Sequence, residues 1–179
     1  MRMSVRPVAM TLFAALLLTG CGESLKVRNY GSFDPRQERD TVYVIPFDST
    51  LVPYDFGDPV FNEFVDRLNA LRKQTRVAKF LILKEDLKEV EPAWLIKQTY
   101  ISGDIWGYLE SSGCCSTEMK VKSRIYLYEP GKNDPSMEVY LPEEDFIEHD
   151  RVSVSAAKTR MGKKLARSLA DAIIKKLTP

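Results

Sequence analysis

The chain is 179 residues long, the size of one ordinary domain. Apolar residues make up 44% and charged residues 28%, which allows a packed core and excludes global disorder. Lys and Arg number 26 against 25 Asp and Glu, a formal charge of +1 that gives no basic excess for nucleic acid, and three Cys with one His are too few for a disulfide scaffold or a Cys/His zinc framework.

Arg2 and Arg6 precede an apolar run from Val8 to Leu18. At about 1.5 Å per helical residue the run reaches roughly 16 Å, half a bilayer core, so it is too short to span a membrane. A basic segment followed by such a run is the pattern of a secretory signal. Leu18-Thr19-Gly20-Cys21 then resembles a bacterial lipobox, in which an aliphatic residue and two small ones fit a narrow peptidase groove ahead of the Cys that takes a diacylglycerol. The alternative is an ordinary signal peptide with a chance Cys behind it.

The lipobox resemblance implies cleavage before Cys21, with diacylglycerol and an N-acyl chain on Cys21 and no other cofactor. Losing Arg2 and Arg6 takes the formal charge from +1 to −1. Several acyl chains make a lasting anchor where one alone binds marginally. Gly22, rather than Asp, resembles the sorting pattern of outer-membrane lipoproteins in double-membrane cells, which places the chain on the periplasmic face. The expected organisation is a signal peptide over 1–20, a lipidated tether over 21–40 and a single α+β periplasmic domain over 41–179. The polar tether, with Gly31 and Pro35, reaches about 65 Å fully extended and about 25 Å as a flexible coil.

Thr41 to Phe47 is β-branched and aromatic and predicts a first strand. Asp58-Pro59 supplies an N-cap and first-turn proline for a helix whose apolar face is Phe61, Phe64, Leu68 and Leu71. Phe80 to Leu83 reads as a short buried strand. Lys84 to Gln98 reads as a second helix, with a possible restart at Pro92. Tyr100 to Leu109 and Met119 to Tyr128 are two longer strands joined through Ser111-Ser-Gly-Cys-Cys115. Pro130-Gly131 marks a turn, and Met137 to Leu141 is a last strand. Ser153 or Ser155 caps a long helix to Leu177 with a stripe of Ala157, Met161, Leu165, Leu169, Ala172 and Ile173. The expected fold is α+β: a mixed β-sheet of four to five strands, helices packed on one face, and a long C-terminal helix.

Val44-Ile45-Pro46-Phe47 closing a strand before a helix, the Gly-containing strand Ile101-Ser-Gly-Asp-Ile105, and a final helix around Ala166 to Leu177 resemble a group of envelope lipoproteins. The group includes the outer-membrane activators of penicillin-binding proteins and the curli-secretion lipoproteins, with folds similar to the N-terminal domain of TolB. The lipopolysaccharide-assembly lipoprotein of the outer membrane has a similar element order. These resemblances, over roughly residues 41–177, imply a protein without enzymatic activity.

No catalytic residue emerges from the sequence. No G-x-S-x-G, H-E-x-x-H or Walker string occurs, and the lone His149 lies among carboxylates in Glu143 to Asp150, which favour the charged imidazolium over a general base. That run reads as a solvated acidic loop; a weak divalent site on Glu144, Glu148 and His149 is the sharper alternative, and no metal is expected. Cys114 and Cys115, in an oxidising compartment, leave three states open: a vicinal disulfide at a hairpin tip, two free thiols, or bonds to another chain. Lys158, Arg160, Lys163, Lys164 and Arg167 form a basic helix face that could meet an anionic partner, or a solvated face balancing the acids at 143–150. Trp94, Trp106, Tyr108 and Tyr126 could form an exposed recognition patch, though aromatics at strand alternation are more often core. The expectation is therefore an outer-membrane-anchored, non-catalytic accessory subunit with an envelope protein partner, the alternative being a self-assembling scaffold. The short tether favours a partner in or near the outer membrane.

Overall fold

In a computed structural model, residues 24–49, 51–85 and 88–179 are described. The expected signal peptide over 1–20 and the expected lipidation site Cys21 lie outside them. Six strands form one mixed sheet: β1 (Lys26–Asn29), β2 (Arg39–Val44), β3 (Val77–Ile82), β4 (Thr99–Ser112), β5 (Ser116–Tyr128) and β6 (Met137–Glu148), in the order β1-β6-β5-β4-β2-β3. β4, β5 and β6 are a long antiparallel meander; β1 adds antiparallel to β6, while β2 joins β4, and β3 joins β2, in parallel.

The meander alternates at the period that puts successive side chains on opposite faces. Met119, Val121, Ile125 and Leu127 of β5, with Ile101 and Ile105 of β4 and Val139 and Leu141 of β6, point to one side and are buried there. Helices α1 (Tyr54–Leu71) and α3 (Val154–Leu177) lie side by side over that face, Phe64 and Leu68 meeting Leu165, Leu169 and Ile173 in the same core. Salt bridges Arg67–Asp171 at 2.8 Å and Arg167–Glu63 at 2.7 Å tie the two helices along their outer edges. Ser153 caps α3, its hydroxyl accepting from the Ala156 amide. The α+β class, the mixed sheet, the two long helices on one face and the long C-terminal helix match the sequence expectation; the sheet has six strands rather than four or five.

The sixth strand lies inside the expected tether. Lys26–Asn29 hydrogen-bonds to β6, and Tyr30 donates its amide to the Ser136 carbonyl. The loop to β2 is also fixed: Arg39 is buried, donates to the carbonyls of Gln37 and Asp34, and lies 4.4 Å from the centre of the Phe33 ring. Burial pulls its guanidinium pKa down, against the opposing charges of Glu129 and Asp34. A polar segment with little apolar content can still dock where an open strand edge satisfies its backbone groups.

Three further expectations change. α1 begins at Tyr54, not at Asp58-Pro59, so Pro59 lies inside the helix; Phe56 and Val60, both buried, hold the earlier turn on the core. Of the expected helix over 84–98, the described part is helical only from Pro92 to Leu95, because Leu95 alone there is buried. Finally, 143–148 is the end of β6 rather than an acidic loop: Glu143 and Ile147 turn inward, Ile147 into the core and Glu143 onto Lys164 of α3 at 2.6 Å.

Gly103, in the Gly-containing strand, is a steric requirement of this packing: a Cβ there would stand 2.8 Å from the Arg124 carbonyl oxygen and from Ile125 Cγ2, and 3.1 Å from Phe47. Neither the backbone of β5 nor the core behind it can yield cheaply. Gly103→Ala should therefore destabilise the chain by about 1–3 kcal/mol, as overpacking does. Gly113→Ala, whose Cβ would meet nothing nearer than Ser116 at 3.6 Å, should sit within about 0.5 kcal/mol of wild type. Urea unfolding of the two variants checks the contrast.

Candidate binding surface on the open sheet face

The side chains between the core positions fall on the opposite face, over which neither long helix packs. Strand register arranges them in rungs across the sheet. Tyr43, Tyr100 and Tyr128 make the first; Ser102, Tyr126, Glu138 and Arg28 the second; Asp104, Arg124, Tyr140 and Lys26 the third. A register irregularity between Ile105 and Gly107 makes Trp106 an extra residue in β4, and its ring turns out over the third rung. Beyond it Leu109 and Phe146 remain 51% and 65% exposed.

Two environments share this face. At the β2 end the tyrosines pack on one another: Tyr100 and Tyr128 stack with centroids 4.4 Å apart, Tyr126 leans on Tyr128, and Trp94 meets Tyr43 edge-on at 5.0 Å. At the β1 end lies a cleft of about 270 Å³ lined by Lys26, Arg28, Trp106, Arg124, Glu138 and Tyr140. There the Trp106 and Tyr140 rings lie 6.4 Å apart and 28° from parallel, with Arg124 and Lys122 about 5 Å from Trp106 and Lys26 5.6 Å from Tyr140. Glu138 accepts from the Tyr30 hydroxyl at 2.7 Å and pairs with Arg28 at 3.7 Å.

Asp104 and Arg124 stand 3.5 Å apart between these regions, an ion pair whose geometry is not that of a hydrogen bond. Arg124 Nε and Asp104 Oδ1 are thus both buried without a hydrogen-bond partner. Burial lifts the Asp104 carboxyl pKa, the Arg124 charge opposing it.

Of the five cations on α3, Arg160 and Lys164 balance acids of the 143–150 run, as the solvated-face alternative has it. Lys158 pairs with Glu110 at 2.8 Å, Arg160 with Asp145 at 2.8 Å, Lys164 with Glu143 and Arg167 with Glu63. Three of the five thus hold carboxylates of the sheet in a seam at the helix–sheet boundary, Arg167 holds one of α1, and Lys163 lines the shallow outer surface of α3. Of the four aromatics considered together, Trp106 and Tyr126 share the open face, Trp94 sits at its margin, and Tyr108 lies on the helix side against Phe56.

Cys114 and Cys115 sit exposed at the tip between β4 and β5, their sulfurs 3.2 Å apart as two thiols. The contact with Cys114 raises the Cys115 thiol pKa, which opposes thiolate formation. His149 shares a 2.8 Å hydrogen bond with Thr117 and is not joined by Glu144 or Glu148: among the described residues no three His, Cys, Asp or Glu side chains gather to hold a metal ion.

The sequence reading did not assemble Tyr43, Tyr100, Tyr128, Tyr140, Lys26, Arg28 and Arg124. The signal was present in β5, where Lys120, Lys122, Arg124, Tyr126 and Tyr128 alternate with core residues.

No protein-family model and no curated protein matches the sequence. Solved structures of similar fold do. The PelC dodecamer from Paraburkholderia phytofirmans has a TM-score of 0.54 and 16% identity, over 82% of this chain and 96% of that one. The hypothetical protein CT253 from Chlamydia trachomatis has 0.51 and 14%, over 78% and 98%. Protein XCC0632 from Xanthomonas campestris has 0.51 and 10%, over 86% and 94%. At these identities the likeness is one of fold alone.

Burial sets a pH limit on the two sides of β4. It pushes the Tyr100 hydroxyl pKa up to about 12, with Tyr128 adding to it, and the Tyr108 hydroxyl up to about 12, helped by its hydrogen bond to Glu110. Above about pH 10 an unfolded tyrosine releases a proton that the folded chain keeps, so stability falls as pH rises from about 10 to 12. Tyr100→Phe and Tyr108→Phe should each make that fall shallower than in wild type, measured by urea unfolding at a series of alkaline pH values.

Proposed function

We propose that this chain is a lipid-anchored, non-catalytic accessory subunit of a bacterial envelope machine for secretion, cell-wall synthesis or lipopolysaccharide assembly. Cys21 holds it on the periplasmic face of the outer membrane, and it acts by docking a partner on the open sheet face. One observation carries the reading: rows of half-buried tyrosine, with a tryptophan and several cations, lie on a face over which neither long helix packs. Tyr, Trp and Arg are the side chains that dominate the energetics of protein interfaces. The tether supports a partner close to the anchor. With β1 docked, only five residue steps separate Cys21 from Lys26, about 18 Å at full extension.

A second reading is self-association into a scaffold. It is favoured by the PelC structures of similar fold, which are dodecamers, and by the edge strand β3, where Leu81 and Ile82 are 45% and 39% exposed.

Two measurements test the proposal. Cys21→Ala should release the chain from membranes into the soluble fraction; retention on the membrane contradicts the anchor. A photo-crosslinking residue placed at Tyr126 in the lipidated protein in cells should capture one recurrent envelope protein at high yield, whereas the same residue at Lys163 should not. Crosslinks only between copies establish the scaffold reading instead.

A further inference from the structure

We propose that the Trp106–Tyr140 cleft, with the β1 edge beside it, seats the anionic headgroup surface of the membrane that carries the anchor, and so fixes which way the domain faces. The inference rests on the lipid-anchor reading and adds to it a second, orienting contact.

Position comes first. Lys26 is both the first residue of β1 and a wall of the cleft, and it follows Cys21 by five residue steps, about 18 Å at most. A bilayer carrying acyl chains on Cys21 therefore lies within that reach of the cleft. Direction agrees with position. Lys26 pairs with Tyr140 and Asn29 with Met137, so the chain running back from Lys26 heads toward the Leu141–Glu148 end of β6. Trp106, Leu109 and Phe146 are exposed on that side of the open face, and Leu25 and Val27 are exposed at the β1 edge, while Leu81 is exposed at the far edge on β3.

Chemistry agrees as well. Among the described residues, Lys26, Arg28 and Arg124 line the cleft with one carboxylate, Glu138, which Arg28 and Tyr30 already engage, and Asp104 pairs with Arg124 beside it. Lys122 adds a fourth cation beside Trp106. Arg124 spends its buried Nε edge on Asp104, and the rest of its part-exposed guanidinium lines the cleft, where a phosphate suits it. Amphipathic Trp and Tyr rings settle at the headgroup level, where Lys and Arg beside them reach lipid phosphates.

The test uses the full lipidated chain with Trp94→Phe, which leaves Trp106 as the sole tryptophan. It is reconstituted with phosphatidylethanolamine–phosphatidylglycerol vesicles or with phosphatidylcholine vesicles, each with and without brominated lipid. The chain should float with both kinds of vesicle through its anchor, and Trp106 emission should be quenched by brominated lipid in the anionic ones. A parallel unlipidated chain, Cys21→Ser, should sediment with anionic but not neutral vesicles, more weakly in Lys26→Glu/Arg28→Glu by at least about five-fold per cation removed. Lys79→Glu/Lys84→Glu, the same charge change at the opposite edge of the sheet, should bind as wild type. Arg124→Gln repeats the loss at a residue of the central strands, guarding against a β1 that no longer docks in the double variant. A chain that floats while Trp106 is equally bright with and without bromine overturns the proposal, as does an unlipidated chain indifferent to lipid charge. If flotation fails, the anchor reading has failed, and the unlipidated chain alone decides the cleft.

Discussion

The alternation of the β4–β5–β6 meander is the constraint on which the rest of this structure depends. In β5 the side chains Met119, Val121, Ile125 and Leu127 must leave water together, and a pleated strand can do that only by sending its other positions the opposite way. Lys120, Lys122, Arg124, Tyr126 and Tyr128 are those other positions. With α1 and α3 closing the apolar side, the polar–aromatic side is left as surface. The core and the candidate binding face are thus two consequences of one pattern, and a slip of register by a single residue would exchange them.

The same geometry explains why the most conspicuous charge cluster in the sequence is a structural seam. α3 crosses the far ends of β4 and β6, where the inward positions are Glu110, Glu143 and Asp145. Such carboxylates at a helix–sheet boundary are partly removed from water and call for cations at hydrogen-bond distance. Lys158, Arg160 and Lys164 supply them. Glu110, held by Lys158 and by the Tyr108 hydroxyl, has its pKa drawn down accordingly. On the open face the balance is different. Arg124 and Asp104 form an ion pair at 3.5 Å, Lys26 stands over the Tyr140 ring, and Arg28 pairs with Glu138.

How far the sequence reveals this depends on the kind of signal. The strands over 100–109 and 119–128, the α3 stripe and the Ser153 cap were readable because each rests on local periodicity or local capping chemistry. β1 was not: Lys26 to Asn29 carries no apolar period of its own and forms because β6 offers an edge, a non-local fact. Asp58-Pro59 is a valid helix start that tertiary packing of Phe56 and Val60 overrides. The acidic run over 143–150 looks solvated until the partners on α3 are in place. The surface was half legible. The alternating tyrosines and basic residues of β5 were in plain sight, but whether such aromatics face core or solvent depends on which side the helices take. The outward turn of Trp106 depends on a register irregularity that no local pattern announces.

The central claim is that the bare sheet face, and not the helical face, is the working surface of this protein. Hydroxyl-radical footprinting of the full-length protein as expressed, in native envelope and again after purification in detergent, tests it most directly. The account predicts that Tyr43, Tyr100, Tyr126 and Tyr128 are oxidised more slowly in the envelope than in detergent, while the outer surface of α3 around Lys163 is unchanged. Protection confined to α3, with the tyrosine rungs oxidised equally in both states, would contradict it.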